Sequence, residues 1–341
     1  MSKKYNSIDL FAGCGGLSQG MVEAGFIVRA AVEIDRFAST AFRLNHPLTE
    51  VFEDDIRNVE GKNIKKIIGK NPIHLLAGCP PCQGFSILRR LNRKRSVNDS
   101  RNSLVLEFLR MVKELQPQTI MMENVPGLEN YYQFIKVFKE LKNLGYNPKK
   151  EVVDVKDYGV PQSRKRLVVI GSRIGDIDIV IPSGLRTTVR DAIGDIEAVE
   201  TTQDPIHKIY PSHTPKIQEM IKLVPKNGGG RKDLPEEYIL ECHKKVGVGF
   251  NDVYGRLRWD DFSTTITGGC LNPSKGRFLH PEHNRCISAR EAALLQSFPK
   301  DYKFPTNIPK QSLALLIGNA LPPKFSYIQS NNIKSHLDKY L

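Results

Sequence analysis

The sequence predicts a doubly wound α/β domain joined to a smaller, loop-rich one, and three observations carry that reading. Short apolar runs alternate with segments of helical period through the first half of the chain. A glycine-rich turn follows the first of these runs, where such a fold receives a ligand on a helix N-terminus. From about Ser183 the periodicity gives way to Pro, Gly and charged residues, and helical spacing resumes only at Ser288.

The predicted strands are residues 7–11, 26–33, 73–77, 119–123 and 167–171, short runs rich in β-branched and other apolar side chains. Between them, residues 17–24, 36–45, 103–115 and 131–144 carry the apolar spacing of helices, as do 288–298 and 311–317 further on. Strand and helix in alternation imply βαβ units and a mostly parallel sheet. The larger domain is therefore placed at 1–183 and completed by 289–341, and the second at 184–288.

The 341 residues suffice for a large core, and 40% of them are hydrophobic. Lys and Arg outnumber Asp and Glu by 50 to 37, a formal charge of +13, which favours phosphate-bearing or acidic partners. No stretch approaches the roughly 18 apolar residues of a membrane span, and the start of the chain lacks an apolar signal segment. A cytoplasmic protein without a membrane partner is expected. Six cysteines across this length make no disulfide framework, so reduced thiols are expected.

Asp9-Leu10-Phe11-Ala12-Gly13-Cys14-Gly15-Gly16 joins the first strand to the first helix, and its small residues let backbone amides approach a ligand. Glu33 ends the second strand, where a carboxylate commonly accepts from ribose hydroxyls, so a nucleoside cofactor is indicated. The bare alternative is a tight turn that binds nothing. The incomplete G-x-G-x-x-G pattern argues against NAD and against a pyrophosphate cradle. Asp55 reads either as a partner of an adenine amino group or as a solvated acidic turn.

Gly78-Cys79-Pro80-Pro81-Cys82-Gln83-Gly84-Phe85-Ser86 sets a thiol in a rigid loop straight after a predicted buried strand. The C-x-x-C spacing also occurs in zinc knuckles and redox dithiols. Zinc needs a second pair, which Cys14, Cys242, Cys270 and Cys286 do not offer, so no metal is expected. A redox dithiol normally opens a helix, whereas this loop runs on into Arg89, Arg90, Arg93, Lys94, Arg95 and Arg101. Those cations read as a phosphate clamp beside a nucleophile or, more simply, as a solvated face. Glu123 ends another strand on the rim where a parallel sheet gathers its functional groups. Its simpler reading is a capping carboxylate.

Taken together, Phe11-Ala12-Gly13-Cys14-Gly15-Gly16, Pro81-Cys82-Gln83, Glu123-Asn124-Val125, Gln162-Ser163-Arg164-Lys165-Arg166 and Gly318-Asn319-Ala320-Leu321-Pro322-Pro323 resemble, in order, the motifs of the cytosine-C5 DNA methyltransferases. They span nearly the whole chain outside the middle region. One departure is Asp54, where the family often has glycine, which bears only on local turn geometry.

The resemblance implies a Rossmann-like methyltransferase domain, S-adenosylmethionine as cofactor with S-adenosylhomocysteine as product, and a middle region that recognises the target. It implies that Cys82 attacks C6 of a flipped-out cytosine, because C5 accepts a methyl group only after that addition loads electron density onto it. A free thiol has a pKa of about 8.5, so Arg164 or the cationic cofactor would favour the thiolate. Glu123 would donate a proton or hydrogen bond to N3. Arg164 and Arg166 would orient the base O2, the carboxylate and a nearby phosphate.

By the same resemblance Phe11 stacks near the adenine, Glu33 holds the ribose, Asp55 and Ile56 meet the adenine edge, and Asn319 meets the methionine end. Gly13, Gly15, Gly16, Ile34, Pro81 and Leu104 complete the expected cofactor set. Pro161 and Gln162 read equally well as a turn fixing the loop. Ser86, Arg89, Arg90, Arg101, Arg231 and Thr265 are the expected DNA contacts, Thr264, Thr265 and Thr267 preceding Gly268-Gly269. The run from Lys226 to Lys232 reads as a flexible cationic loop entering a groove or as a plain surface turn.

The expected activity is methylation of a short duplex DNA sequence by a monomer, in a restriction-modification or epigenetic setting with a cognate endonuclease as a partner. A tRNA cytosine-C5 methyltransferase of the same fold is the alternative; the sizeable middle region and the Pro-Pro-Cys-Gln loop favour DNA. A third reading, a binding protein that kept the fold and lost catalysis, is opposed by intact Cys82, Glu123, Arg164 and Arg166.

Overall fold

A computed structural model describes residues 3–81, 103–239 and 252–341. Among these, seven strands form one sheet: β1 (Tyr5–Leu10), β2 (Phe26–Val32), β3 (Glu50–Phe52), β4 (Leu75–Gly78), β5 (Thr119–Asn124), β6 (Lys149–Asp154) and β7 (Lys165–Ser172). Their order is β3-β2-β1-β4-β5-β7-β6. Pairing is parallel from β3 through β5, and β7 runs antiparallel to both β5 and β6. The order reverses between β1 and β4, which makes the carboxyl ends of those strands the switch point where ligands settle in such sheets.

The helices among the described residues are α1 (Gly16–Glu23), α2 (Arg36–Asn45), α3 (Gly61–Ile68), α4 (Leu104–Leu115), α5 (Tyr132–Asn143), α6 (Val189–Ile193), α7 (Pro215–Leu223), α8 (Ala289–Leu295), α9 (Lys310–Asn319) and α10 (Pro323–Tyr340). Alternation along β1 shows how the layers form. Ile8 and Leu10 enter a core with Ile64 and Ile68 of α3, Phe108 and Val112 of α4 and Phe134 and Val137 of α5. Asp9 turns to the other face, where Ser18 of α1 donates to it. On that side α1 and α10 pack backbone to backbone: a β-carbon on Gly20 would lie 2.4 Å from the Tyr327 nitrogen.

The chain divides into two compact units, one of residues 1–158, 165–184 and 321–341 and one of residues 159–164 and 185–320. Residues 289–320, which the sequence reading joined to the larger domain, cluster within the second unit. That unit is rich in loops and short helices. Arg256, fully buried, braces it by donating to the carbonyls of Ile221, Val224, His280 and His283 and to Asn284 Oδ1. A charge so placed is tolerated only because every direction around the guanidinium meets an acceptor.

Candidate active site

The first unit gathers its chemistry where the strands end. Phe11, directly after β1, has a φ of 60°, a conformation rare for a bulky side chain. Gly13 follows with a φ of 57°, and a β-carbon built on it would meet nothing within 4 Å. Gly15, also at positive φ, caps α1, and Gly16 is the first residue of that helix. The Gly13 amide donates to Glu33 Oε2 at 2.8 Å and the Asp35 amide to Glu33 Oε1 at 2.8 Å. Burial raises the Glu33 pKa above the ordinary carboxylate value against those two hydrogen bonds. Ile34 beside it is 65% exposed.

Asp55 caps a short 3-10 turn at Ile56–Asn58 and accepts from the Arg57 amide and from Nε at 2.9 Å each. The Arg57 hydrogen bonds lower its pKa. Asp54, the departure from the family pattern, builds the same turn by accepting from the Asp55 amide and from Asn58 Nδ2. Ile56 and Leu104 are buried in the core.

At the carboxyl end of β4 the chain is pinned from both sides. The Cys79 amide donates to the Leu10 carbonyl at 3.2 Å, and Asn124 Nδ2 donates to the Pro80 carbonyl at 2.7 Å. Pro81 is the last described residue before residues 82–102. The expected Cys82, Ser86, Arg89, Arg90 and Arg101 lie outside the described residues. Glu123, near the end of β5, forms an ion pair with Arg166 of β7, Oε1 to Nε at 2.5 Å, with both side chains nearly buried. Asp9, fully buried, has its pKa raised to about 7 chiefly by burial, with Glu33 adding to the rise and Ser18 opposing it. Its Oδ2 accepts from Ser18 Oγ at 2.6 Å, while Oδ1 is buried without a hydrogen-bond partner.

The second unit holds a chain of buried amides. Gln162 Nε2 donates to Gln296 Oε1 at 2.7 Å, and Gln162 Oε1 accepts from the Ile266 amide at 2.7 Å. Gln296 Nε2 in turn donates to the Ile317 carbonyl at 2.6 Å. Arg164, expected at the base, donates through Nη1 to the carbonyls of Ile266 and Gly318 at 3.0 and 2.9 Å. These donors meet carbonyls at the end of α9, which closes with exposed Asn319. Thr265, expected on the DNA backbone, donates its hydroxyl to the Ser163 carbonyl at 2.8 Å.

Of the two readings of 226–232, a flexible cationic loop and a plain surface turn, the contacts favour the turn. Arg277 Nη1 donates to the carbonyls of Gly228 and Gly229, Asn227 Oδ1 accepts from the Trp259 amide, and Lys226 pairs with Glu282. Arg231 is buried at the start of a 3-10 turn. Glycines there serve close approach of backbone to neighbours, a reason for glycine that composition alone does not distinguish from mobility.

Sequence reasoning gave no role to Asp9 or Gln296 and weighed Cys79 only as half of a C-x-x-C pair. Asp9 had a signal, a lone acid in the last turn of an apolar strand. Gln296 had none, since a glutamine in a helical run resembles any surface position. Among the described residues, no group of three His, Cys, Asp or Glu is placed to hold a metal ion, and no helix is long and apolar enough to cross a membrane.

Comparison with known proteins gives the family. The family model described as C-5 cytosine-specific DNA methylase matches residues 5–335. The Type II methylase M.HgiDII of Herpetosiphon aurantiacus is 36% identical, over 97% of this chain and 95% of its own. The Type II methyltransferase M1.HphI of Haemophilus parahaemolyticus is 33% identical, over 95% of this chain and 84% of its own. A solved structure of a prophage-encoded E. coli protein assigned as a DNA modification methyltransferase superposes with a TM-score of 0.74 at 27% identity, covering 98% of this chain and 99% of that one. The Spodoptera frugiperda DNMT2 structure, at 19% identity and a TM-score of 0.66 over 96% of this chain and 99% of that one, shares the fold. The chain belongs to the C-5 cytosine-specific DNA methylase family and is a DNA cytosine-5-methyltransferase.

Proposed function

We propose that this enzyme transfers a methyl group from S-adenosylmethionine to C5 of a cytosine turned out of a short duplex sequence, with Cys82 adding to C6. The observation that carries the reading is Glu123 held by Arg166 at 2.5 Å, next to a strand end whose Cys79 and Pro80 backbone is fixed by Leu10 and Asn124. That arrangement presents a desolvated carboxyl group beside the segment leading into the nucleophile. Glu123 then donates to N3 as charge develops in the ring, and Arg166 holds the carboxyl group and reaches the base O2. Loss of the C5 proton and elimination of Cys82 complete the turnover. Arg164, which donates to two backbone carbonyls, supports this chemistry by fixing the turn before Asn319.

The residues present fit a cationic nucleoside cofactor. Open space at the Gly13 β-carbon leaves room for close approach, Glu33 offers a fixed carboxylate, and the unpartnered Asp9 Oδ1 and the raised pKa of Glu33 mark acids that a positive group would relieve. When bound, S-adenosylmethionine supplies an electrophilic methyl group. Phe11, Gly13, Gly15, Gly16, Glu33, Ile34, Asp55, Ile56, Pro81, Leu104 and Asn319 would hold it.

The relatives named as Type II methyltransferases support a modification enzyme acting on DNA; that it works on the duplex in the cytoplasm, at the nucleoid, as a monomer and alongside an endonuclease for the same site is part of the proposal. The second compact unit is assigned target recognition, with Thr265 and Arg231 among its DNA contacts and Ser86, Arg89, Arg90 and Arg101 supplied by the segment after Cys82. Sequencing of methylated cytosines in DNA from expressing cells should reveal one short motif. Duplex carrying 5-fluorocytosine in that motif should trap a covalent complex that Cys82→Ala abolishes. Methyl transfer to tRNA and not to duplex DNA would overturn the reading.

A further inference from the structure

Cys79 stands beside the proposed catalytic carboxyl group, and the chemistry above leaves it without a role. β4 and β5 pair in parallel with Gly78 level with Met122, so the next residues, Cys79 and Glu123, come side by side as the strands end. The two side chains are near enough for the Glu123 carboxylate to act on the thiol. Burial, then the carboxylates of Glu123 and Asp9, push the thiol pKa well above its ordinary value against the pull of Arg166, so sulfur keeps its proton at neutral pH.

The backbone gives this thiol little room to leave. Its amide is bonded to Leu10, the following carbonyl to Asn124, and Gly78 lies so close to β1 that a β-carbon there would stand 2.8 Å from the Leu10 oxygen. Arg166 meets the Glu123 carboxyl group at Oε1, and a carboxyl group held from one side keeps freedom to turn about its last bond. A second donor on a fixed strand end removes that freedom.

We propose that Cys79 is a positioning residue that, together with Arg166, sets the orientation in which the Glu123 carboxyl group meets the flipped base. This rests on the role assigned to Glu123. The effect is on the chemical step, because the interaction orders a group whose work is done in the transition state.

The test uses the full-length enzyme with duplex DNA, comparing Cys79→Ala and Cys79→Ser. Cys79→Ala is expected to lower kcat about tenfold, the scale of one lost hydrogen bond to a charged group, with the KM for S-adenosylmethionine unchanged. Cys79→Ser, which keeps a donor at nearly the same place, should recover most of the loss. In a Glu123→Gln background, Cys79→Ala should cost almost nothing further, since its target is already altered. Thermal midpoints and S-adenosylhomocysteine affinity check that each variant is folded. Wild-type kcat in Cys79→Ala, a serine variant as slow as the alanine one, or a full further loss in the Glu123→Gln background would each overturn the proposal. If Glu123→Gln itself kept wild-type kcat, the carboxylate reading would fail first and take this one with it.

Discussion

Arg166 meets Glu123 across an antiparallel strand pair, Nε to Oε1 at 2.5 Å, in a register that sets Glu123 against Val168. Reversal of β7 is what delivers a cation to the same rim as an acid at the end of β5. A nearly buried pair loses most when one partner is removed, because the other charge stays behind. Arg166→Ala should therefore lower kcat by roughly two orders of magnitude, and Arg166→Lys should recover only part of it, lacking the planar fork. Single-turnover methyl transfer measures both.

Asp9 makes stability depend on pH in the sense opposite to an ordinary surface acid. Its pKa rises from 3.8 to about 7 on folding, so the folded state holds a proton that the unfolded state releases. The contribution to stability is full below pH 3.8 and is lost as pH rises through 7. Asp9→Asn should leave stability near wild type at pH 4 and raise it at pH 8, by up to about 4 kcal/mol for three pKa units. Denaturant titrations without cofactor at the two pH values decide it; equal differences would show that Asp9 is not the source.

Glu33 offers one carboxylate oxygen to each of two backbone amides. Glu33→Gln keeps the shape but turns one of those acceptors into a donor facing an N–H. Binding of S-adenosylhomocysteine, followed by calorimetry, should weaken by about tenfold or more.

Gln296 is wholly buried and bonded through both ends of its amide. Gln296→Leu leaves Gln162 Nε2 and the Ile317 carbonyl short of a partner and should cost about 2–6 kcal/mol in the second unit, each orphaned group contributing about 1–3. Loss of hydrogen-exchange protection around 162, 266 and 317 would report it. Protection unchanged from wild type would mean that the amide chain is dispensable.

Much of this was legible in the residues themselves. The predicted segments for β1, β2, β4, β5 and β7 fall within a few residues of the observed strands, and α2 has the predicted bounds. Their apolar runs are short, buried and punctuated by glycine, so local pattern and global fold agree. β6 escaped because Lys149, Glu151 and Val152 are exposed on an edge, leaving little alternation to find. α10 escaped because Ser326, Gln329 and Ser330 are buried in it while Pro323 opens it, so its inward face does not look apolar. The resemblance named Glu123 together with both Arg164 and Arg166. It did not separate Arg164 from Arg166, since alternate positions in a short run carry no sign of which carbonyls or carboxylates each will find.

Neither compact unit is a single stretch of chain: the backbone passes out at 159, back at 165, out again at 185 and home at 321. Exchanging specificity with a relative by transplanting 185–320 as a cassette would thus leave behind six residues, 159–164, that belong to the transplanted part. Gln162 and Arg164 are among them, bonded to 266, 296 and 318. A working chimaera has to carry that short stretch of sequence along with its donor, and grafts that omit it should express poorly even when every recognition contact has been copied.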